Sequence, residues 1–332
     1  MSVNNNHSHQ PSSSESLKKI NPNKSDLDFN QNEVELNTKD HTTSDSDTHC
    51  TIRINTNKQS LITSNIEANH SLESQIQREG LLTKPFIVGA SVIGSSHLKS
   101  GQPCEDAFSY TQNGNMFAIA VSDGVGNTKF GGIGSNECVI SIIDKVNQYF
   151  ESHKFSEKKF SSKCFIVKLV RVGRNSLQLL ANNNGCSINE YACTLILVIG
   201  TKESINVAHI GDGGVVAKRN GIHLELISAP NATEYANTVY PITMKGWEKK
   251  IQYSFNVKNV NCISAFTDGC QSMTLKKKNN KYSVFSNFYN PFFEYFEKLT
   301  VLEKGIRDLT ELLKLKLSNY SDDDKTFVTV VL

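Results

Sequence analysis

Apolar runs rich in β-branched and aromatic residues come in groups from residue 86 onward, and this grouping limits the fold more than any other feature. FIVGASVI (86–93) and MFAIAVSD (116–123) read as strands. Two amphipathic patterns follow. Val139, Ile142, Ile143, Val146 and Phe150 share one helical face across 134–150. Ile166, Leu169, Val170, Leu177 and Leu180 share another across 164–182. A dense β region comes next: YACTLILVIG, SINVAHIGDG, GVVAKRNG and IHLELIS. Glycine-containing turns separate the last three, which predicts an antiparallel meander. After an irregular stretch over 229–260, CISAFTDG reads as a buried strand. Helical patterns return at 287–298 and 304–317, and TFVTVVL closes the chain as a strand. Strands grouped between pairs of helices do not build a doubly wound parallel sheet. They predict antiparallel sheets with helices packed outside.

The first 80 residues are of another kind. Asn, Ser and Thr fill 32 of these 80 positions, and Phe29 is the only aromatic residue among them. Such a segment cannot bury enough apolar surface to offset its chain entropy. Residues 1–80 are therefore expected to be a disordered polar tail, and 81–332 one folded domain. With 35 basic and 33 acidic residues, the net charge of +2 gives no reason to expect nucleic acid as a partner. No apolar run nears the roughly 18 residues of a membrane span, and the opening MSVNNNHSHQPSSS lacks the apolar core of a secretory signal. Eight cysteines contain no CxxC pair and no zinc-like spacing. Cys138, Cys193 and Cys262 sit in apolar patterns, as small buried hydrophobes do in a reducing compartment. The expectation is a cytoplasmic monomer without membrane attachment.

The chemistry is carried by where acidic residues fall relative to strands. Asp123 ends AIAVSD and Asp268 ends CISAFTD, each followed by glycine; Asp212 sits in GDGG directly after INVAHI. Glu105 and Asp106 stand before the strand AFSY, and Asp323 precedes TFVTVVL. A single Asp-Gly pair is ordinary turn chemistry. Three such pairs plus two acidic strand flanks place a set of carboxylates at strand mouths, where they repel one another unless cations neutralise them. An all-oxygen, carboxylate-rich site selects hard divalent ions such as Mg2+ or Mn2+.

The string GASVIGSSHLKSGQPCEDAF resembles the opening motif of the metal-dependent protein phosphatases of type 2C, in a variety common in bacteria. AIAVSDGVG, ACTLILVIG, VAHIGDGGVVA, AFTDGCQSM and DDKTFVTVVL resemble its later blocks in the expected order, and PNATEYANTV a stretch before the fourth acidic motif. The resemblance covers about 86–332. It implies two antiparallel sheets packed face to face with helices outside, an α+β sandwich in α-β-β-α layers. It implies hydrolysis of phosphoserine and phosphothreonine in phosphorylated proteins, with two divalent ions activating a water that attacks phosphorus in line. Carried over by motif, Asp123 bridges both ions and Gly124 adds its carbonyl. Asp268 and Asp323 hold the first ion, Glu105 helps hold the second, and Asp106 orients from behind. Asp212 resembles the aspartate that joins the Asp268 position around a third, weaker ion.

Two departures from the pattern bear on function. Many members carry an Arg before the Glu-Asp pair that clamps phosphate, whereas this stretch reads Lys99-Ser100-Gly101-Gln102. His97 and Lys99 are the candidates for that contact, although Lys offers a point charge and not a planar fork. The position two residues after the bridging Asp is Val125, where animal members have a His. The alternative reading is a pseudophosphatase, the fold kept as a binding or regulatory module. Retention of four converging carboxylates argues against it. His209 shares a strand face with Ile205 and Val207 and reads as an interior histidine. The run Lys276–Lys278 reads as a solvated loop.

Overall fold

Four strands of this protein, at 86–92, 195–200, 205–210 and 325–331, are buried along their whole length, because each large sheet is covered on one face by the other sheet and on the other by helices. The computed structural model describes residues 82–152, 156–231, 239–316 and 320–332. The expected tail, with Cys50, lies outside them. In chain order the elements are β1 (Phe86–Val92), α1 (Ser95–Ser100), β2 (Ala107–Asn113), β3 (Met116–Ser122), α2 (Gly131–Glu151), α3 (Glu157–Phe160) and α4 (Lys163–Asn183). Then follow β4 (Leu195–Gly200), β5 (Ile205–Ile210), β6 (Gly214–Arg219), β7 (His223–Ser228), β8 (Gln252–Val257), β9 (Val260–Phe266) and α5 (Gln271–Thr274). The chain ends with β10 (Leu275–Lys278), β11 (Lys281–Val284), α6 (Ser286–Glu297), α7 (Leu302–Glu311) and β12 (Lys325–Val331).

Two five-stranded antiparallel sheets result, one in the order β1-β12-β9-β6-β7 and one in the order β2-β3-β4-β5-β8. The strand period of two divides the apolar residues between two cores. On β3, Phe117, Ile119 and Val121 point into the space between the sheets, with Ile196 and Val198 of β4 and Ile263 and Val328 of the facing sheet. Ala118 and Ala120, with Leu195 and Leu197 of β4, point the other way, against Val139, Ile142, Leu169 and Leu177 of α2 and α4. Phe266 and Phe327 of the first sheet meet Phe292, Phe293, Ile306 and Leu309 of α6 and α7. The architecture is the expected α-β-β-α. Small alanines on the outer face of β3 let α2 sit close, and Gly173 of α4 does the same toward α2, since a Cβ there would press on Ile142 and Cys138. Among the described residues no helix is long and apolar enough to cross a membrane.

Three local expectations are corrected. β5, β6 and β7 do not form a meander: β5 pairs with β4 and β8, whereas β6 pairs with β7 and β9 in the opposite sheet. The Gly211-Asp212-Gly213 link therefore crosses between sheets. Gly211 takes φ +130 and Gly213 lies against the Phe266 backbone, and neither position has room for a Cβ. The stretch 229–260 contains β8, a short edge strand in which polar and apolar residues alternate (QYSFNV) and Tyr253 and Phe255 pack against the core. The Lys276–Lys278 run is not a loop but one arm of the β10–β11 hairpin, closed by Asn279 and Asn280 with φ of 50 and 57.

Candidate active site

The sheet ends bring the acidic residues together. β3 stops at Ser122 because Asp123 turns away to hold the neighbouring β4. The Asp123 N–H donates to Thr194 Oγ1 at 2.9 Å, and Thr194 N–H returns a bond to the Asp123 carbonyl at 2.8 Å. Gly124 donates its N–H to the Glu105 carbonyl at 3.1 Å, which ties the start of β2 to the end of β3. A side chain at Gly124 would collide with the Gly131 backbone, so this approach requires glycine. Ser135 of α2 also donates to the Glu105 carbonyl. On the other sheet, Thr267 at the end of β9 pairs with Thr326 on β12: Thr267 N–H donates to the Thr326 carbonyl, and Thr326 N–H to Thr267 Oγ1. Asp268 follows at once, and Gly269 packs on the Asp324 carbonyl, where a Cβ has no space.

Asp123, Asp212 and Asp268 each place one carboxylate oxygen within 4.8 Å of the others. These three come from both sheets, and the sheet-crossing link delivers Asp212. Its backbone is fixed by Gln271, whose side-chain amide donates to the Asp212 carbonyl. Asp106 is buried and its Oδ2 accepts from Thr267 Oγ1 at 2.7 Å. Asp323 gives Oδ1 to the N–H of Asp324, and its carbonyl to the ammonium of buried Lys325.

Burial and mutual repulsion act on this group in the same direction. Burial, then Asp106, Asp268, Asp212 and Asp323, hold the Asp123 carboxyl well above the usual carboxylate range. Asp268 is pushed up to about 8 by burial and then by Asp212, Asp323 and Asp106. Asp106 is pushed up to about 7 by burial and then by Asp324. Burial also raises Asp212 and Glu105. Three oxygens in this group are buried with no hydrogen-bond partner: Glu105 Oε2, Asp106 Oδ1 and Asp212 Oδ1. Orphaned acceptors among crowded carboxylates fit one kind of guest, a divalent cation.

Asp324 was not singled out from the sequence, yet it organises the rim. This buried carboxylate accepts from the N–H groups of Gly94 and Glu105, each at 2.6 Å, and contacts His97 Nδ1 at 2.8 Å. His97 of α1 is therefore held at the site by its ring, with the Nδ1 side engaged. Lys99, on the same short helix, is exposed. His209 is fully buried; Nδ1 meets Ser228 Oγ at 2.8 Å and Nε2 has no partner. Burial pushes its imidazole down to about 3, so it is a neutral interior residue.

Residues 93–314 match the family described as protein phosphatase 2C. Asp323 lies just beyond that match. The chain is similar to serine/threonine-protein phosphatase 3 of Escherichia coli (strain K12), with 28% identity over 250 residues, 72% of this chain and 95% of that protein. Among solved structures it resembles a bacterial serine phosphatase, with 16% identity and a TM-score of 0.53, over 74% of this chain and 97% of that one. It also resembles the serine/threonine phosphatase Stp1 from Staphylococcus aureus, with 17% identity and a TM-score of 0.52, over 80% and 99% of the two chains. At these identities the structural likeness concerns the fold.

Proposed function

The chain belongs to the protein phosphatase 2C family and is a protein serine/threonine phosphatase; we propose that it hydrolyses phosphoserine and phosphothreonine through two divalent cations, Mn2+ or Mg2+, held by the carboxylates at the sheet ends. The observation that carries this reading is the convergence of Asp123, Asp212 and Asp268 together with the orphaned oxygens of Glu105, Asp106 and Asp212. Asp123 would be held in common by both ions, with the Gly124 carbonyl as a further ligand. Asp268 and Asp323 would hold one ion and Glu105 would help hold the other. Asp212, which stands close to Asp123 and Asp268, would join Asp268 around a third, weaker ion. Bound cations supply Lewis-acid charge and a more acidic water.

The chain's own residues set the geometry. Thr194 and the Glu105 carbonyl fix Asp123 and Gly124; Thr267 fixes Asp106; Asp324 fixes the peptide of Glu105. His97 and Lys99 are the phosphate contacts in this proposal. Asp324 orients the His97 ring, while Lys99 stands exposed two residues on, with a flexible ammonium. Phosphoproteins are the substrates, and the protein works as a monomer. The cysteines described are free, several of them buried, which supports a cytoplasmic, reducing setting. A binding module without catalysis is the less favoured reading, because nothing in such a module would offset the repulsion among five raised carboxyls.

Asp123→Asn keeps the shape and removes the charge. Hydrolysis of a phosphothreonine peptide at saturating Mn2+ should fall more than about a hundredfold, beyond the roughly 10–100-fold typical of losing a residue that only orients a metal ligand. The melting temperature in chelator should stay the same or rise, since an amide replaces a buried carboxyl whose ionised form is disfavoured there. Activity within tenfold of the parent sinks the assignment of Asp123.

A further inference from the structure

A second feature of the molecule is basic where the carboxylate site is acidic. A cleft of about 490 Å³ opens between α4 and the segment that precedes β8. Arg171 and Arg174 line it from α4, at a spacing that puts both on one helical face. Lys245 lines it from the opposite wall, and Glu248 is the one acidic residue lining it. Three cations thus face one carboxylate, and none of the ion pairs among the described residues uses any of the three. Buried Thr243 and Trp247 form the floor. Arg174 uses Nη2 on the Thr243 carbonyl at 3.3 Å, which anchors the guanidinium and leaves its Nε with no acceptor; Thr243 Oγ1 also has no partner.

We propose that this cleft binds a phosphate monoester dianion attached to an organic body, at a site separate from the carboxylates. A forked guanidinium anchored at one end and a second guanidinium one turn away match the oxygens of a phosphate. The volume lies in the range of sites for organic ligands and exceeds what a bare oxyanion fills, and the Trp247 ring supplies an apolar wall. The cleft is also connected to the acidic site by a run of hydrogen bonds. Thr243 follows Ile242, whose N–H donates to the Cys193 carbonyl at 2.9 Å; Cys193 pairs with Gly124, and Thr194 holds Asp123. The ligand is either a phosphorylated residue of the protein substrate or a small organic phosphate, two sources of the same group.

The test uses the full chain in chelator, where the carboxyl cluster holds no cation to attract phosphate and binding reports the cleft alone. Titration calorimetry measures a phosphoserine peptide, its unphosphorylated form, and glycerol phosphate. The phosphopeptide should bind, and inorganic phosphate in excess should displace it. Arg171→Glu and Lys245→Glu, both at exposed positions, should each weaken binding about tenfold or more with unchanged melting temperature. Arg174→Ala should do the same but also loses the Thr243 anchor, so the two exposed variants carry the decision. With Mn2+ restored, both should hydrolyse an aryl phosphate as the parent does. Glycerol phosphate binding as tightly as the peptide supports the small-molecule source, and clearly weaker binding supports the phosphoprotein source. Equal binding of the unphosphorylated peptide, or binding untouched by both charge reversals, overturns the proposal. A parent protein without hydrolytic activity would count against the catalytic reading and leave this binding result standing.

Discussion

Asp324 gathers three points of one stretch that is far from it in sequence: the turn after β1 at Gly94, the helix residue His97, and Glu105 at the entry to β2. Its carboxylate accepts from one buried N–H group, that of Gly94, and one part-buried, that of Glu105. Asp324→Ala should therefore destabilise the fold by about 2–4 kcal/mol, since each abandoned N–H costs roughly 1–3 kcal/mol. It should also lower Mn2+ affinity about 10–100-fold by releasing Glu105. Asp324→Asn keeps one acceptor oxygen and should lie between the two. Denaturant unfolding together with a Mn2+ titration of activity checks both effects, and an Ala variant with unchanged metal affinity would show that Glu105 is placed without it. The sequence could not distinguish this residue. Asp322, Asp323 and Asp324 are consecutive, and which carboxylate is buried depends on N–H groups some 220–230 positions away. Asp123, Asp212 and Asp268 were readable because each follows an apolar strand and precedes glycine. That local pattern survives without knowledge of the partner strands.

Among the elements, those with strong periodicity stand where the sequence puts them: β1, β3, α2, α4, β9 and β12 keep their positions within a few residues. The errors arise where pairing, not propensity, decides. Two glycine turns in a row look like a meander, yet only one of them, Asn220-Gly221, closes a hairpin between β6 and β7. The other carries Asp212 from sheet to sheet. The strand β8 carries a legible period of two in QYSFNV, but it is a six-residue edge strand set in an otherwise irregular polar stretch, which masks so short a signal. Gly211 tests the crossing. Its φ of +130 suits glycine alone, and a Cβ would press on Thr194, the residue that fixes Asp123. Gly211→Ala should cost more than about 2 kcal/mol in stability. It should also reduce kcat more than it raises KM, because it displaces carboxylates and not the substrate contacts. A variant with the parent's stability would mean that the link has room to relax.

For the whole molecule, the reading of residues 1–80 as a tail rests on composition, so removing them should change the stability of 81–332 by less than about 1 kcal/mol; a larger loss in thermal unfolding contradicts it. The domain itself carries a cost that it keeps when metal is removed. Burial and mutual repulsion raise the folded carboxyls of Asp123, Asp212, Asp268, Asp106 and Glu105 above their unfolded values, Asp106 to about 7 and Asp268 to about 8. Between roughly pH 4 and pH 8 the metal-free fold thus holds protons that the unfolded chain has released, and its stability falls as pH rises. His209 works in the opposite sense. Its folded imidazole is pushed down to about 3, so its contribution is complete above the ordinary histidine range and is lost as pH falls below about 6.5. The two opposing trends separate above pH 6.5, where only the carboxyls still titrate. Melting curves in chelator should therefore decline from pH 6.5 to pH 8, by about 1–2 kcal/mol for each proton still held across that interval. Saturating Mn2+ or Mg2+ takes the place of those protons, so the decline should flatten or reverse and the stabilisation by metal should grow with pH. A chelated protein whose melting temperature stays level or rises over this interval would show that the carboxylates are already compensated within the fold, and the main physical ground for placing cations among them would be gone.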